Sequence, residues 1–312
     1  MKSWMLALLF VWGASSQAGP PTGPAEVIAL IGGSSLVAAD QAGHLETFLV
    51  LRDPVHRRTV RSFAWEGDTV FSRPRPLNFP GLPQQLAQQH VTLALLQFGQ
   101  MESLAGPESL GEFKDAYTRL IAGVQQAVRR VVLMTPTPFG AAEPIDASTA
   151  RDRNRVLALY NQAILEIGQK LHVPVIDLFG ELSEPDLKPF EGTLDGVQLS
   201  ARGHLEVARI VSRRDLGRTG DVLPLLPEST WDAATVEKVR EAVVHKNRLW
   251  FRYWRPTNWA FLAGDRTDQP SSRDHQDRSI RWFPKEMEEF VPLIESADAE
   301  IRRRATHQEP AR

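Results

Sequence analysis

Val27-Ile28-Ala29-Leu30-Ile31-Gly32-Gly33-Ser34-Ser35-Leu36 is the stretch that decides the fold. A half-buried strand would alternate polar and apolar residues, so five apolar residues in a row read as a strand buried on both faces. The run stops at Gly32-Gly33, and apolar residues then return at helical spacing over 36–51. The same order recurs downstream. Residues 91–98 (VTLALLQF) end at Gly99, Val131-Val132-Leu133-Met134 ends at Thr135-Pro136-Thr137-Pro138, and Val173-Pro174-Val175-Ile176-Asp177 is a fourth strand. Residues 110–128 and 150–171 are long and periodic enough to be helices. Strands alternating with helices predict βαβ units and a parallel sheet, with function at the C-terminal ends of the strands.

Outward from this core the chain changes character. Lys2 precedes nine apolar residues, 4–12, and small residues end in Ser16-Gln17-Ala18. This pattern predicts a secretory signal peptide over 1–18, cleaved after Ala18, and an exported protein, periplasmic or extracellular. The apolar run is short of the roughly 20 residues that a bilayer span needs, and an uncleaved anchor is the competing reading. The α/β domain is expected over 25–220. After it, Leu223-Pro224-Leu225-Leu226-Pro227 reads as a linker, and 231–250 as an amphipathic helix capped by Ser229 or Thr230. Five of the eight Trp fall between 231 and 282, so 221–304 is expected to be a helical, Trp-rich extension, with 285–304 a charged helix. Core packing of that aromatic cluster weighs more than ligand contact. Residues 265–278 read as a polar loop and 305–312 as a disordered tail.

Composition narrows the function. Apolar residues make 42% of the 312 and charged residues 24%, which suits a globular core. Lys plus Arg number 36 against 38 Asp plus Glu, a balance unlike a dedicated nucleic-acid binder. The absence of Cys excludes disulfides, thiolate metal sites and a cysteine nucleophile. None of the eight His falls in an HxxxH or HExxH metal spacing.

Four blocks then stand in order: Gly32-Gly33-Ser34-Ser35 after the first strand, Trp65-Glu66-Gly67-Asp68 after a β-like segment over 59–64, Gly99-Gln100-Met101-Glu102, and Asp195-Gly196-Val197-Gln198. In this order and at these spacings residues 25–215 resemble the SGNH, or GDSL-type, hydrolases. Arg73-Pro74-Arg75-Pro76-Leu77-Asn78-Phe79 and Arg252-Tyr253-Trp254-Arg255-Pro256-Thr257-Asn258 resemble a subgroup of such domains in exported bacterial proteins. The resemblance implies a three-layer, flavodoxin-like α/β fold. It also implies hydrolysis of esters or acetyl esters, often on carbohydrate, with no cofactor or metal. The implied partner is a small ester or glycan ligand, with no nucleic acid and no membrane span after signal cleavage.

Carried over by position, Ser34 is the nucleophile, and its N–H and that of Gly67 are oxyanion donors. Met101 stands where the family has an Asn donor, and a thioether cannot donate. Asp195 stands at the position that orients the general base, while Gln198 occupies the position of the base, a His. A carboxamide has no useful basicity near neutral pH, and Ser is a poor nucleophile without a base. The expectation is therefore an ester hydrolase site that is eroded, with activity weak or lost. The alternative is a non-catalytic domain that binds a glycan or partner protein outside the cytoplasm. His44 or His245 is a candidate substitute base. Each residue also has a plainer role: Ser34 as a helix cap, Asp195 bonding its own loop, and Ser200 capping the helix that carries His204. Arg73 and Arg75 would receive an anionic group or be solvated.

Overall fold

The computed structural model describes residues 25–53, 57–183, 187–214, 216 and 226–306. The expected leader with its cleavage site, 223–225 of the expected linker, and 307–312 of the expected tail lie outside these residues. Five strands run in the order β1 (Ala25–Gly32), β2 (Arg57–Ser62), β3 (Leu93–Gln97), β4 (Arg130–Met134) and β5 (Val175–Ile176). All pair in parallel, and in the sheet they stand β2-β1-β3-β4-β5. Ile28 lies between Val60 and Leu93, which sets the register of the three central strands.

Helices cover both faces because the buried strands carry apolar residues on both. One face (Ala29, Ile31, Ala94, Leu96, Val131, Leu133) packs against α4 (Leu110–Gln125) and α5 (Ala147–Leu171), the helices that follow α3 (Leu82–Gln88). The other (Ile28, Leu30, Leu93, Leu95, Val132, Met134) packs against α1 (Ser34–Ala42), α2 (His44–Leu51) and α7 (Ala201–Ser212), with α6 (Leu178–Leu182) closing the end near β5. This is the expected three-layer α/β fold. The helix expected over 36–51 is two, because Gly43 takes the left-handed conformation at φ 76° and its N–H bonds Ala39 O. A Cβ there would meet Val244 at 2.8 Å, so the break also admits a neighbouring helix.

That neighbour is α8 (Ala233–Trp254), the first element of a C-terminal group with α9 (Trp259–Leu262), α10 (Trp282–Glu288) and α11 (Phe290–Thr306). The cap of α8 is Asp232, whose side chain accepts the Thr235 N–H, and not Ser229 or Thr230, which lie in a short 3₁₀ turn. The charged helix expected over 285–304 is divided between α10 and α11, since Pro292 cannot donate to the carbonyl of residue 288. The strand β2 is an edge, and α8 closes it. Lys246 Nζ donates to Val60 O at 2.9 Å and Trp250 Nε1 to Ser62 O at 2.7 Å. Two side chains one helical turn apart thus satisfy the carbonyls that an open edge would leave unpaired. Trp250 and Trp254 are buried in the same core as α4 and α5, whereas Trp282 of the same cluster is exposed.

Candidate active site

The order β2-β1-β3 places a switch point between β1 and β3, where the chain leaves the sheet toward opposite faces. There the end of β1 supplies Gly33, Ser34 and Ser35, the loop after β3 supplies Gly99, Gln100, Met101 and Glu102, and Pro136 follows β4. Together with Asp68 they line a cleft of only about 20 Å³.

Ser34 is exposed and is the first residue of α1; its N-cap is Gly33, so the expected capping role is not the one it plays. A Cβ on Gly33 would meet the carbonyl oxygen of Asp68 at 2.7 Å. The second block therefore presses on the first at a position that admits no side chain without movement. Gly67 sits in the turn closed by Asp68 N–H to Trp65 O, with φ 80°. Such a turn needs a residue that tolerates positive φ. Gly67 does not line the cleft, whereas its neighbour Asp68 does. Met101 lines it and is 47% exposed, so the position aligned with an Asn donor presents a thioether to solvent.

A hydrogen-bonded frame behind these residues was not read from the sequence. Ser35 Oγ donates to Gln100 Oε1 at 3.3 Å, and Gln100 Nε2 donates to Thr137 O at 3.0 Å, tying together the ends of β1, β3 and β4. Glu102 is buried and accepts the N–H groups of Val70 at 2.9 Å and Gly99 at 2.7 Å. Burial lifts its carboxyl above the usual range against the pull of those N–H groups. The available signal was the Gln and Glu residues themselves, polar groups at the end of an otherwise apolar strand.

Asp195 and Gln198 come together but do not line the cleft. They lie in a tight loop bridged by Thr193 and Leu199, with Leu194 N–H donating to Gln198 O at 2.7 Å. Asp195 Oδ1 accepts the N–H groups of Val197 at 2.9 Å and Gln198 at 2.7 Å. Burial alone would raise this carboxyl, but the Gln198 and Val197 N–H groups outweigh it and hold the pKa low. Ser200 caps α7 as expected, accepting the Gly203 N–H at 3.2 Å.

Among the described residues no imidazole lines the cleft. His44 opens α2 half-buried, with Nδ1 unpartnered and its pKa lowered by burial. His204 is buried on α7 and burial lowers its pKa to about 4. His245 is exposed on α8. None of the described helices is long and apolar enough to cross a membrane.

Several solved structures are similar to the chain. A gut microbial diltiazem-metabolizing enzyme aligns over 93% of this chain and 97% of its own at TM-score 0.55 and 11% identity, a coverage that takes in the C-terminal helices. A catalytic mutant of Axe2, an acetylxylan esterase from Geobacillus stearothermophilus, aligns over 64% of this chain and 97% of its own at TM-score 0.46 and 16% identity. The lipase/acylhydrolase from Enterococcus faecalis aligns over 65% and 100% at TM-score 0.46 and 18% identity. No curated protein matches the chain. The profile of the GDSL-like Lipase/Acylhydrolase family matches residues 33–205, more than half of the chain, and the chain belongs to that family.

Proposed function

We propose that this chain is an ester hydrolase domain whose catalytic site is eroded, so that turnover is weak or lost. The observation that carries the reading is the cleft around Ser34, where no described residue supplies an imidazole. Without a base, the Ser34 hydroxyl keeps its proton and attacks an acyl carbon poorly. Loss of a triad member leaves about 10³ to 10⁴-fold acceleration from the oxyanion site and binding. An oxyanion donor missing at Met101 removes roughly another 10² to 10³. What remains of the site is the Ser34 hydroxyl and the free N–H groups of the first turn of α1, which favour negative charge. The cleft is small, and short acetyl esters, including those on carbohydrate, are the substrate class proposed.

The test is hydrolysis of 4-nitrophenyl acetate by the mature chain beside Ser34→Ala and Gln198→His. Unmodified protein and Ser34→Ala are expected to agree within about tenfold, the margin left when the nucleophile has no base. Turnover that Ser34→Ala abolishes would show an intact mechanism with a base from another element. Ser34-dependent turnover gained by Gln198→His would show that the lost base, more than the donor missing at Met101, silences the site.

The second reading, a binding domain outside the cytoplasm for a glycan or partner protein, is favoured by a different observation. A cavity of about 510 Å³ opens between α1 and α8, lined by Trp250, Phe251 and Trp254 with Asp40 and Asn247 among them. Its size and mixed lining are those of a ligand site.

A further inference from the structure

The 65–79 loop, α3, α4 and the end of α8 enclose a second cavity, of about 290 Å³, away from the Ser34 cleft. Arg73, Arg75 and Arg119 line it together with the aromatic residues Phe63, Phe79 and Trp254. The three guanidiniums are not in the same state. Arg75 donates to both carboxylate oxygens of Asp68, at 2.7 and 2.6 Å, and lies over the Trp65 ring. Arg73 has no ion pair among the described residues, and its Nη1 is buried without a hydrogen-bond partner. Arg119 is exposed at the rim and is likewise unpaired among the described residues. Three guanidiniums thus line the cavity and no carboxylate of the described residues does; Asp68, which Arg75 engages, lines the Ser34 cleft.

An unpaired guanidinium in a half-buried position is costly unless something accepts from it. Burial lowers the pKa of Arg73 despite the attraction of Asp68, as an undercompensated charge requires. A planar guanidinium fork matches the two oxygens of a carboxylate or phosphate, and is more selective for them than for a spherical ion. We propose that this cavity binds an oxyanion, the carboxylate or phosphate group of a small organic ligand, with Arg73 as its principal partner and Arg119 as the second. The aromatic walls then receive the body of that ligand. This site is independent of whether Ser34 turns over an ester.

The test is calorimetric titration of the full chain with inorganic phosphate and with benzoate, at ionic strength matched with sodium chloride. Saturable binding of at least one anion is expected, weakened about tenfold or more in Arg73→Gln and less in Arg119→Gln, as loss of charge-assisted hydrogen bonds dictates. Tighter binding of phosphate assigns the site to phosphorylated ligands, and tighter binding of benzoate to carboxylic acids. The proposal is overturned if neither anion saturates, or if both variants bind as the unmodified chain does. Should Arg73→Gln fail to fold, Arg119→Gln decides, because its side chain is exposed and its unchanged affinity would overturn the proposal alone.

Discussion

The carboxyl of Asp40 is buried and held well above its ordinary value. Its backbone carbonyl accepts from Asn247 Nδ2 at 2.8 Å, but its carboxylate has no hydrogen-bond partner among the described residues. Burial raises its pKa from 3.8 to about 7, against the attraction of Lys246 and with the repulsion of Glu46. Above pH 7 the folded state carries a buried charge. As pH falls through 7 the fold takes up a proton that the unfolded chain does not bind until near 3.8, so stability rises over that window. Asp40→Asn removes the charge while keeping the shape. It should stabilise the protein at pH 8, by on the order of 4 kcal/mol at most, and the gain should vanish toward pH 4. Urea midpoints at the two pH values check this, and an equal effect at both would contradict it. At the same scale, Ser34 and Met101 were legible because motif order put them at strand ends. Glu102 was not: beside an exposed Met it reads as a surface acid, and its burial depends on N–H groups from two other segments.

Helix α8 carries the consequence at the scale of an element. The Lys246 ammonium is 1% exposed and donates to Glu46 Oε2 at 2.8 Å as well as to the edge carbonyl of Val60. Burial raises the Glu46 carboxyl and the ammonium opposes that rise. Removing one partner leaves the other charge buried and unpaired, which typically costs about 3–5 kcal/mol. Lys246→Met should therefore lower stability by about that amount, and adding Glu46→Leu should restore most of it. A double-mutant cycle by chemical denaturation tests the pair; purely additive losses would show that the two charges are not coupled. The amphipathic period of 231–250 was enough to read a helix. Its destination was not legible, because Lys246 in isolation reads as a solvated cation and its partners lie 186 and 200 residues away. The strands were legible for the opposite reason: burial on both faces writes itself as an unbroken apolar run. The division of 36–51 at Gly43 was missed because both halves keep apolar spacing, and only the approach of Val244 makes the glycine necessary.

For the whole molecule, the question is whether residues 25–220 fold without the C-terminal helices. The segments 73–79 and 252–258 meet around one ring. Arg75 and Arg255 both stack on Trp65, with guanidinium carbons 4.4 and 3.9 Å from its centroid, and Arg255 pairs with Glu66 at 2.6 Å. Phe79 packs on Trp259 at 4.7 Å, and Asn78 Nδ2 donates to Ala263 O at 2.8 Å. Farther along the same edge, Arg61 is held by Asp298 through two hydrogen bonds, and Val50 and Leu51 of α2 pack with Val239, Val243 and Ile301. Cutting the chain after residue 220 would remove the partners of Arg61 and Glu46, expose Leu51 and Phe63, and open the carbonyls of β2. Apolar surface returned to water costs about 25 cal/mol per Å², against a typical domain stability of only about 5–15 kcal/mol. An exposed strand edge further invites pairing between copies. Residues 25–220 expressed alone should therefore aggregate or lack a cooperative thermal transition, read by size exclusion and circular dichroism. A monomer with a cooperative melt near that of the full chain would mean that the helices after 226 are an appendage. It would also mean that the α/β sheet tolerates an open β2, and that Lys246, Trp250 and Asp298 are dispensable to its stability.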